Sequence, residues 1–328
     1  MKAYLIGIAS FLVIADSLMV ALAHKRFPLD AHFASAALCL DWYLALFFLL
    51  GHRQFQSFIE TKLRQGQGLR PVFIFLLSLV LPYLIYVAGT DSFHWLAFLK
   101  LVLYVLLPAL LFLTLRWFSQ RLLWQDALVI LALWLPLDFR WMRDVWVWPN
   151  NSLAYSFNSL LASCLGVFLF VCLRQLQQVG YRYDFESRDW VIGLRNFLLF
   201  APIAITIGIY TGFIALSQHF AYPWELVLSA AGIFIFIAIP EELLFRGIIQ
   251  NFAERSFLKP TPALIVTSLI FGASHLNNGP KPDWRYFLLA SIAGLFYGNA
   301  YTKTRKLLAP AIVHTLVDAF WRGFFKGT

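Results

Sequence analysis

The sequence predicts an all-α fold, a polytopic transmembrane helical bundle of about 10–11 spans. Three observations carry that expectation. Hydrophobic residues make up 60% of the 328 residues and charged residues only 13%, against about 25% charged in a soluble domain. The mean hydropathy is +0.71. The apolar residues also fall in long continuous runs, which suit helices; the strands of a barrel would alternate.

Runs near the ~20 residues a helix needs to cross a bilayer lie at 3–23, 32–51, 71–89, 94–115, 126–139, 153–173, 192–217, 225–250, 262–277, 285–302 and 308–325. The run at 126–139 is short and reads either as a span or as an interfacial or re-entrant piece, which leaves the count at ten or eleven. The first run, with Lys2 before it and Ala21-Leu22-Ala23 at its end, imitates a secretory signal. It is as long as a span and Lys25-Arg26 follows at once, so it reads as an uncleaved first helix.

The formal charge of +9 sits largely in short loops, as at Lys62, Arg64 and Arg70, or Lys303, Arg305 and Lys306. That is the positive-inside pattern. With all eleven spans counted, Arg116 among the inside cations and Arg140 and Arg143 among the outside ones, the bias places the N-terminus inside and the C-terminus outside. Removing 126–139 would reverse everything after it. No basic, aromatic-interleaved soluble stretch offers itself to nucleic acid. Cys39, Cys164 and Cys172 lie in apolar runs without C-x-x-C spacing and read as buried hydrophobes, neither disulfides nor metal ligands. The polar stretch 174–190 reads as a cytoplasmic linker. It separates an N-terminal multi-span region, 1–190, whose role the sequence leaves unassigned, from a C-terminal membrane domain, 191–328.

The last third holds the candidate chemistry. Pro240-Glu241-Glu242-Leu243-Leu244-Phe245-Arg246 follows a run without charge from Leu226 to Ile239. Each charge near the bilayer centre costs about 2.5–3.5 kcal/mol on insertion scales, so an intramembrane cluster reads as functional. Glu242 and Arg246 are spaced i, i+4 for an ion pair, whereas Glu241 projects about 100° away around the helix. Pro240 removes a backbone hydrogen bond and predicts a kink there. His275 ends the next run in Phe271-Gly272-Ala273-Ser274-His275, and His314 and Asp318 share one face of the last. Gly294 and Gly298 form a G-x-x-x-G face that reads as helix packing.

In their order, Glu241-Glu242-x-x-x-Arg246, Phe271-x-x-x-His275 and His314-x-x-x-Asp318 resemble the CPBP family, the CAAX prenyl proteases of the second type and bacteriocin-processing relatives also called the Abi family. Gly294-Leu-Phe-Tyr-Gly298 and Thr304-Arg305-x-Leu307 are similar too. The resemblance covers about residues 190–328 and implies an intramembrane endopeptidase acting on a membrane-embedded or lipidated protein or peptide. It implies Glu241 as the base that activates a water, His275 as a holder of that water, His314 and residue 318 as oxyanion stabilisers, and Glu242 and Arg246 as supports. Prenyl proteases of the family usually carry Asn where Asp318 stands. An ionised Asp cannot donate a hydrogen bond, so Asp318 orients His314, is protonated, or marks a different substrate. The family is described both as metalloprotease-like and as glutamate-type. Two His and two carboxylates suit zinc, but H-E-x-x-H is absent, and water activation without a tightly bound metal is the favoured expectation.

Two other functions fit the composition. One is a non-catalytic membrane scaffold, immunity or sorting factor, against which intact Glu241, His275 and His314 argue. The other is a transporter with a polar path through Asp16, Asp41, Lys100 and Glu241, which form no spaced motif. The expected location is a multi-pass place in a membrane, the inner membrane in a bacterium. No residue pattern sets the oligomeric state.

Overall fold

The computed structural model describes all residues except 1, 25, 65–68, 114–120, 219, 280 and 328. Lys25 and Arg116, counted above in the charge bias, therefore lie outside the described residues. The chain is an all-α, polytopic helical bundle, with one small strand pair among the described residues. It forms two compact units, the first running through Gln175 apart from the short segment ending at Leu123, which belongs to the second, and the second from Leu176 onward.

The first unit contains α1 (Lys2–Ala23), α2 (Ala31–Leu50), α3 (Arg53–Arg64), α4 (Arg70–Thr90), α5 (Trp95–Leu113), α6 (Trp124–Asp138) and α7 (Ala154–Val167), which continues to Leu173 as a π-helix. Asp30 starts α2 by accepting the backbone N–H groups of His32 and Phe33 at 3.0 and 3.2 Å, satisfying donors that the first turn of a helix leaves open. The continuation of α7 ends at Arg174, whose buried guanidinium grips the buried Asp126 of α6 at 2.9 and 3.1 Å. Arg174, read above as the first linker cation, is thus a core residue: its two-pronged pairing removes the cost of an isolated buried charge. The segment 53–64, read as a loop because it is charged, is the helix α3. Cys39, Cys164 and Cys172 are buried and free.

The second unit holds α8 (Ser187–Tyr210), α9 (Pro223–Ile233), α10 (Ile239–Glu242), α11 (Asn251–Ser256), α12 (Pro260–Ser274), α13 (Trp284–Thr304) and α14 (Leu308–Phe324). Strands β1 (Ile214–Leu216) and β2 (Phe325–Gly327) pair antiparallel. Asp189 accepts from the backbone of Glu186 at 2.9 Å to open α8. The buried Lys306 amine reaches the Asp184 carbonyl at 3.0 Å and the carboxylates of Glu186 and Asp189 at 2.6 and 3.3 Å. This ties the polar segment before α8 to the turn before α14, and the Lys306 contact holds the Glu186 carboxyl below its ordinary range.

Among the described residues, seven helices are long and apolar enough to cross a membrane: α1, α2, α4, α5, α7 with its extension, α8, and the continuous helix Pro223–Ser256. The other four expected spans are helical too, but α6, α12 and α14 are short and α13 is more polar.

Three features of the second unit position the site. The helix Pro223–Ser256 is π-helical at Phe234–Ala238 and Leu243–Gln250, on either side of α10. Pro240, which has no N–H to give, lies between these two wider π-helical stretches. Helix α12 packs on α13, and α14 packs on α8 and α13. The α12–α13 approach is close because both helices offer glycine: a Cβ on Gly294 would come within 2.9 Å of Ser268, and one on Gly272 within 2.7 Å of the Phe287 carbonyl as well as into the Ser291 side chain. Gly272→Val is expected to push these helices apart at a cost of about 1–3 kcal/mol, read as a lower melting temperature of the purified protein in detergent.

Candidate active site

Glu241 and Glu242 come from α10, Arg246 from the π turn after it, His275 from the end of α12, and His314 and Asp318 from α14. Glu242 and Arg246 form the expected pair, Nε to Oε2 at 3.2 Å, with side chains 0% and 1% exposed. Glu242 does more than neutralise Arg246. Its other oxygen, Oε1, lies 2.9 Å from Nδ1 of His314. One buried carboxylate therefore bridges a guanidinium and an imidazole.

The far side of the His314 ring faces the other two carboxylates. Nε2 is 3.9 Å from Glu241 Oε2 and 3.7 Å from Asp318 Oδ2. Both distances exceed direct hydrogen bonding, at which heavy atoms lie about 2.7–3.2 Å apart. Accessibility is graded across the ring. Glu242 and Arg246 are sealed and His314 is 3% exposed, while the side chains of Glu241 and Asp318 are 26% and 33% exposed. The cluster thus has a sealed anchoring side and a more exposed one, although the Glu241 oxygen that faces His314, Oε2, is itself buried.

Aromatic rings fix the rest. Tyr297 of α13 stacks on His314, centroids 4.8 Å apart and planes 20° apart, and Phe271 meets the same ring edge-on at 6.0 Å. The Arg246 guanidinium lies 4.4 Å from the Phe271 centroid and 5.3 Å from that of Tyr297, and its Nη2 donates to the Gly294 carbonyl at 3.3 Å. A desolvated cation between two rings gains from both ring faces.

His275 joins this cluster through Phe271, 4.6 Å between centroids, and touches Tyr286 at 4.9 Å. Its Nδ1 lies 2.8 Å from the Phe271 carbonyl and 3.2 Å from Ser274 Oγ. A carbonyl only accepts, so Nδ1 carries the proton and Nε2 of the neutral ring is left as an acceptor.

Ion-pair contacts thus link Glu241, Glu242, Arg246, His314 and Asp318, with His275 one aromatic ring away. Sequence reasoning did not reach Tyr297, which lies within Gly294-Leu-Phe-Tyr-Gly298 but was absorbed there into helix packing. Its spacing from Gly294, three residues and so one helix face, was the available signal. The donor types for zinc are present, but Nδ1 of His314 is taken by Glu242. Among the described residues no three His, Cys, Asp or Glu side chains are arranged to hold a metal ion.

Residues 223–320 match the family described as type II CAAX prenyl endopeptidase Rce1-like. The stretch takes in every one of the site residues above. A curated Bacillus subtilis (strain 168) protein, the uncharacterized protein YpbD, is 32% identical over 85 residues, which are 26% of this chain and 39% of that protein. The chain thus covers well under two thirds of that relative's length. No solved structure matches.

Proposed function

We propose that this chain, Rce1-like in its C-terminal part, is an intramembrane endopeptidase that hydrolyses a peptide bond in a membrane-embedded or lipidated protein or peptide. The observation that carries the reading is the two-sided His314 ring. Nδ1 is held by Glu242, itself held by Arg246, and Nε2 is turned toward the partly open carboxylates Glu241 and Asp318. A scaffold has no use for a histidine fixed this way at the edge of an accessible acidic site.

In the proposed step a water lies on the more exposed side, against Glu241 and within reach of Nε2 of His314 and Nε2 of His275. Separations of 3.7–3.9 Å between polar atoms leave direct hydrogen bonds unmade, the situation in which a mediating water is considered. Glu241 takes one proton of the water as its oxygen bonds to the substrate carbonyl carbon. His275 accepts the other proton in a hydrogen bond and so orients the attack. A His314 ring carrying both protons donates from Nδ1 to Glu242 and from Nε2 to the oxyanion, which a dry, preorganised site stabilises strongly. Glu241 then gives its proton to the leaving nitrogen as the C–N bond breaks. Glu242, Arg246 and Tyr297 are positioning residues in this scheme.

Asp318, acceptor-only when ionised, is read as an orienter of the water or of His314. Asp318→Asn keeps an accepting oxygen and adds a donor. It is expected to retain cleavage within about tenfold, since it removes no base, and base removal is what costs about 10²–10⁴. A loss as deep as that of a Glu241 variant would move Asp318 into the base role.

The scheme runs through Glu241 and water. Thorough chelation of the purified protein is expected to leave cleavage unchanged, and loss of activity that zinc restores would overturn the scheme. The direct test is N-terminal proteomics of membranes from cells carrying the wild-type chain or Glu241→Gln. New protein termini confined to the wild type would identify substrates. Identical termini at equal expression would leave the scaffold reading in place.

A further inference from the structure

We propose that the first unit carries a binding site for the phosphate-bearing headgroup of an anionic membrane lipid, at the ends of α5 and α6. A shallow, open surface depression of about 310 Å³ lies there, lined by Lys100, Arg140, Trp141, Arg143, Asp144 and Asn151. That volume is at the lower end of ligand sites, about 300–1,000 Å³. The chemistry of the lining selects an anion. Lys100 is engaged: its amine lies 2.7 and 2.9 Å from the Asp144 carboxylate and 3.3 Å from the Trp141 carbonyl. Arg140 and Arg143 have no ion pair or side-chain hydrogen bond among the described residues, so the depression presents two guanidinium groups in excess of its one carboxylate. Paired donors of this kind match phosphate oxygens.

The loop that holds them is built, and its shape does not depend on a ligand. Trp146 is fully buried and donates to Asn158 Oδ1 at 2.7 Å, and Asn158 donates to the Met142 carbonyl at 3.1 Å. Asn151 donates to the carbonyls of Arg143 and Trp146 at 3.0 and 3.3 Å. Arg140 and Asn151 both hold left-handed backbone, φ 57° and 58°. Such backbone outside glycine is disfavoured and persists where its surroundings over-determine it.

The surroundings make the ligand a lipid. Trp95 at the start of α5 and Trp141 just past α6 are 67% and 69% exposed, with Phe93 and Phe139 exposed beside them in sequence. Exposed aromatics at the ends of apolar helices mark the headgroup level of a bilayer. Lys100 sits within α5 and extends its amine to the Asp144 loop, as a lysine does when it snorkels toward the interface. A lipid whose tails lie along the apolar faces of α5 and α6 would place its phosphate between Arg140 and Arg143.

The test is native mass spectrometry of the full chain released from nanodiscs of phosphatidylcholine doped with phosphatidylglycerol. The wild type is expected to retain phosphatidylglycerol in preference to phosphatidylcholine. At about 1 kcal/mol for each basic residue near anionic lipid, Arg140→Gln with Arg143→Gln should weaken that retention roughly 10- to 30-fold. Arg140→Lys with Arg143→Lys should keep most of it. Asp144→Asn, which removes the competing anion, should raise it. Equal retention by the wild type and a Gln variant of unchanged melting temperature would overturn the proposal, as would an Asp144→Asn variant that binds no more than the wild type. Displacement of the lipid by inorganic phosphate alone would also overturn it, since the site would then be one for a soluble anion.

Discussion

Replacing Glu241 with Gln is expected to cut the cleavage rate by about 10²–10⁴-fold, the usual contribution of a positioned general base. Gln is nearly isosteric and can still accept one hydrogen bond, but it cannot take a proton from water. The side chain is 26% exposed and Gln fills nearly the same volume, so the melting temperature is expected to move little. The measurement is the initial rate of cleavage of a substrate found by terminal proteomics, with wild type and variant compared in the same detergent at matched folded protein. A variant with wild-type rate would sink the assignment of Glu241 as base. His275→Ala should also be slow, and the double variant should be little slower than Glu241→Gln alone, because residues that act on one water do not add.

The parts of this site that could be read from the chain are those with a local signature. Glu242 and Arg246 are four residues apart, as are His314 and Asp318, and the contacts at 3.2 and 3.7 Å follow from helix geometry. The bridge from Glu242 to His314 joins residues 72 apart in sequence. No spacing rule announces it, so Glu242 was assigned only to Arg246. Tyr297 was hidden for a related reason: stacking on a histidine leaves no trace in composition.

The fold divides in the same way. The helices α2 and α4 begin and end within a residue or so of the apolar runs that predicted them, because the runs end where caps and loop charges begin. Helix α3 was missed because its Arg53, Glu60, Lys62 and Arg64 dilute any apolar run, although an amphipathic surface helix is built that way. The π turns around α10 were not legible either. An unbroken apolar stretch carries no mark of where one residue is added per turn, and only Pro240 hinted that the backbone there must depart from α geometry.

That bridge sets up the largest effect expected on stability. Arg246→Met removes the one cation, among the described residues, in ion-pair contact with Glu242 besides His314, and both side chains of the pair are sealed from solvent. Breaking a buried pair by removing one partner typically costs about 3–5 kcal/mol, because the other charge stays behind. Arg246→Met should therefore melt far below wild type. Adding Glu242→Gln removes the stranded charge and should restore most of that loss, a coupling a double-mutant cycle reads directly. Activity should not follow. With Glu242 gone, Nδ1 of His314 loses the carboxylate that holds its proton and its orientation, and loss of such a histidine-orienting carboxylate costs as much as about 10⁴ in turnover in a serine protease triad. Stability that recovers while cleavage stays low would assign Glu242 two separable tasks, neutralising Arg246 and aiming His314. If the double variant regained both, the carboxylate would serve only to neutralise the arginine, and the aim of His314 would have to come from Tyr297 and Phe271 packed against its ring.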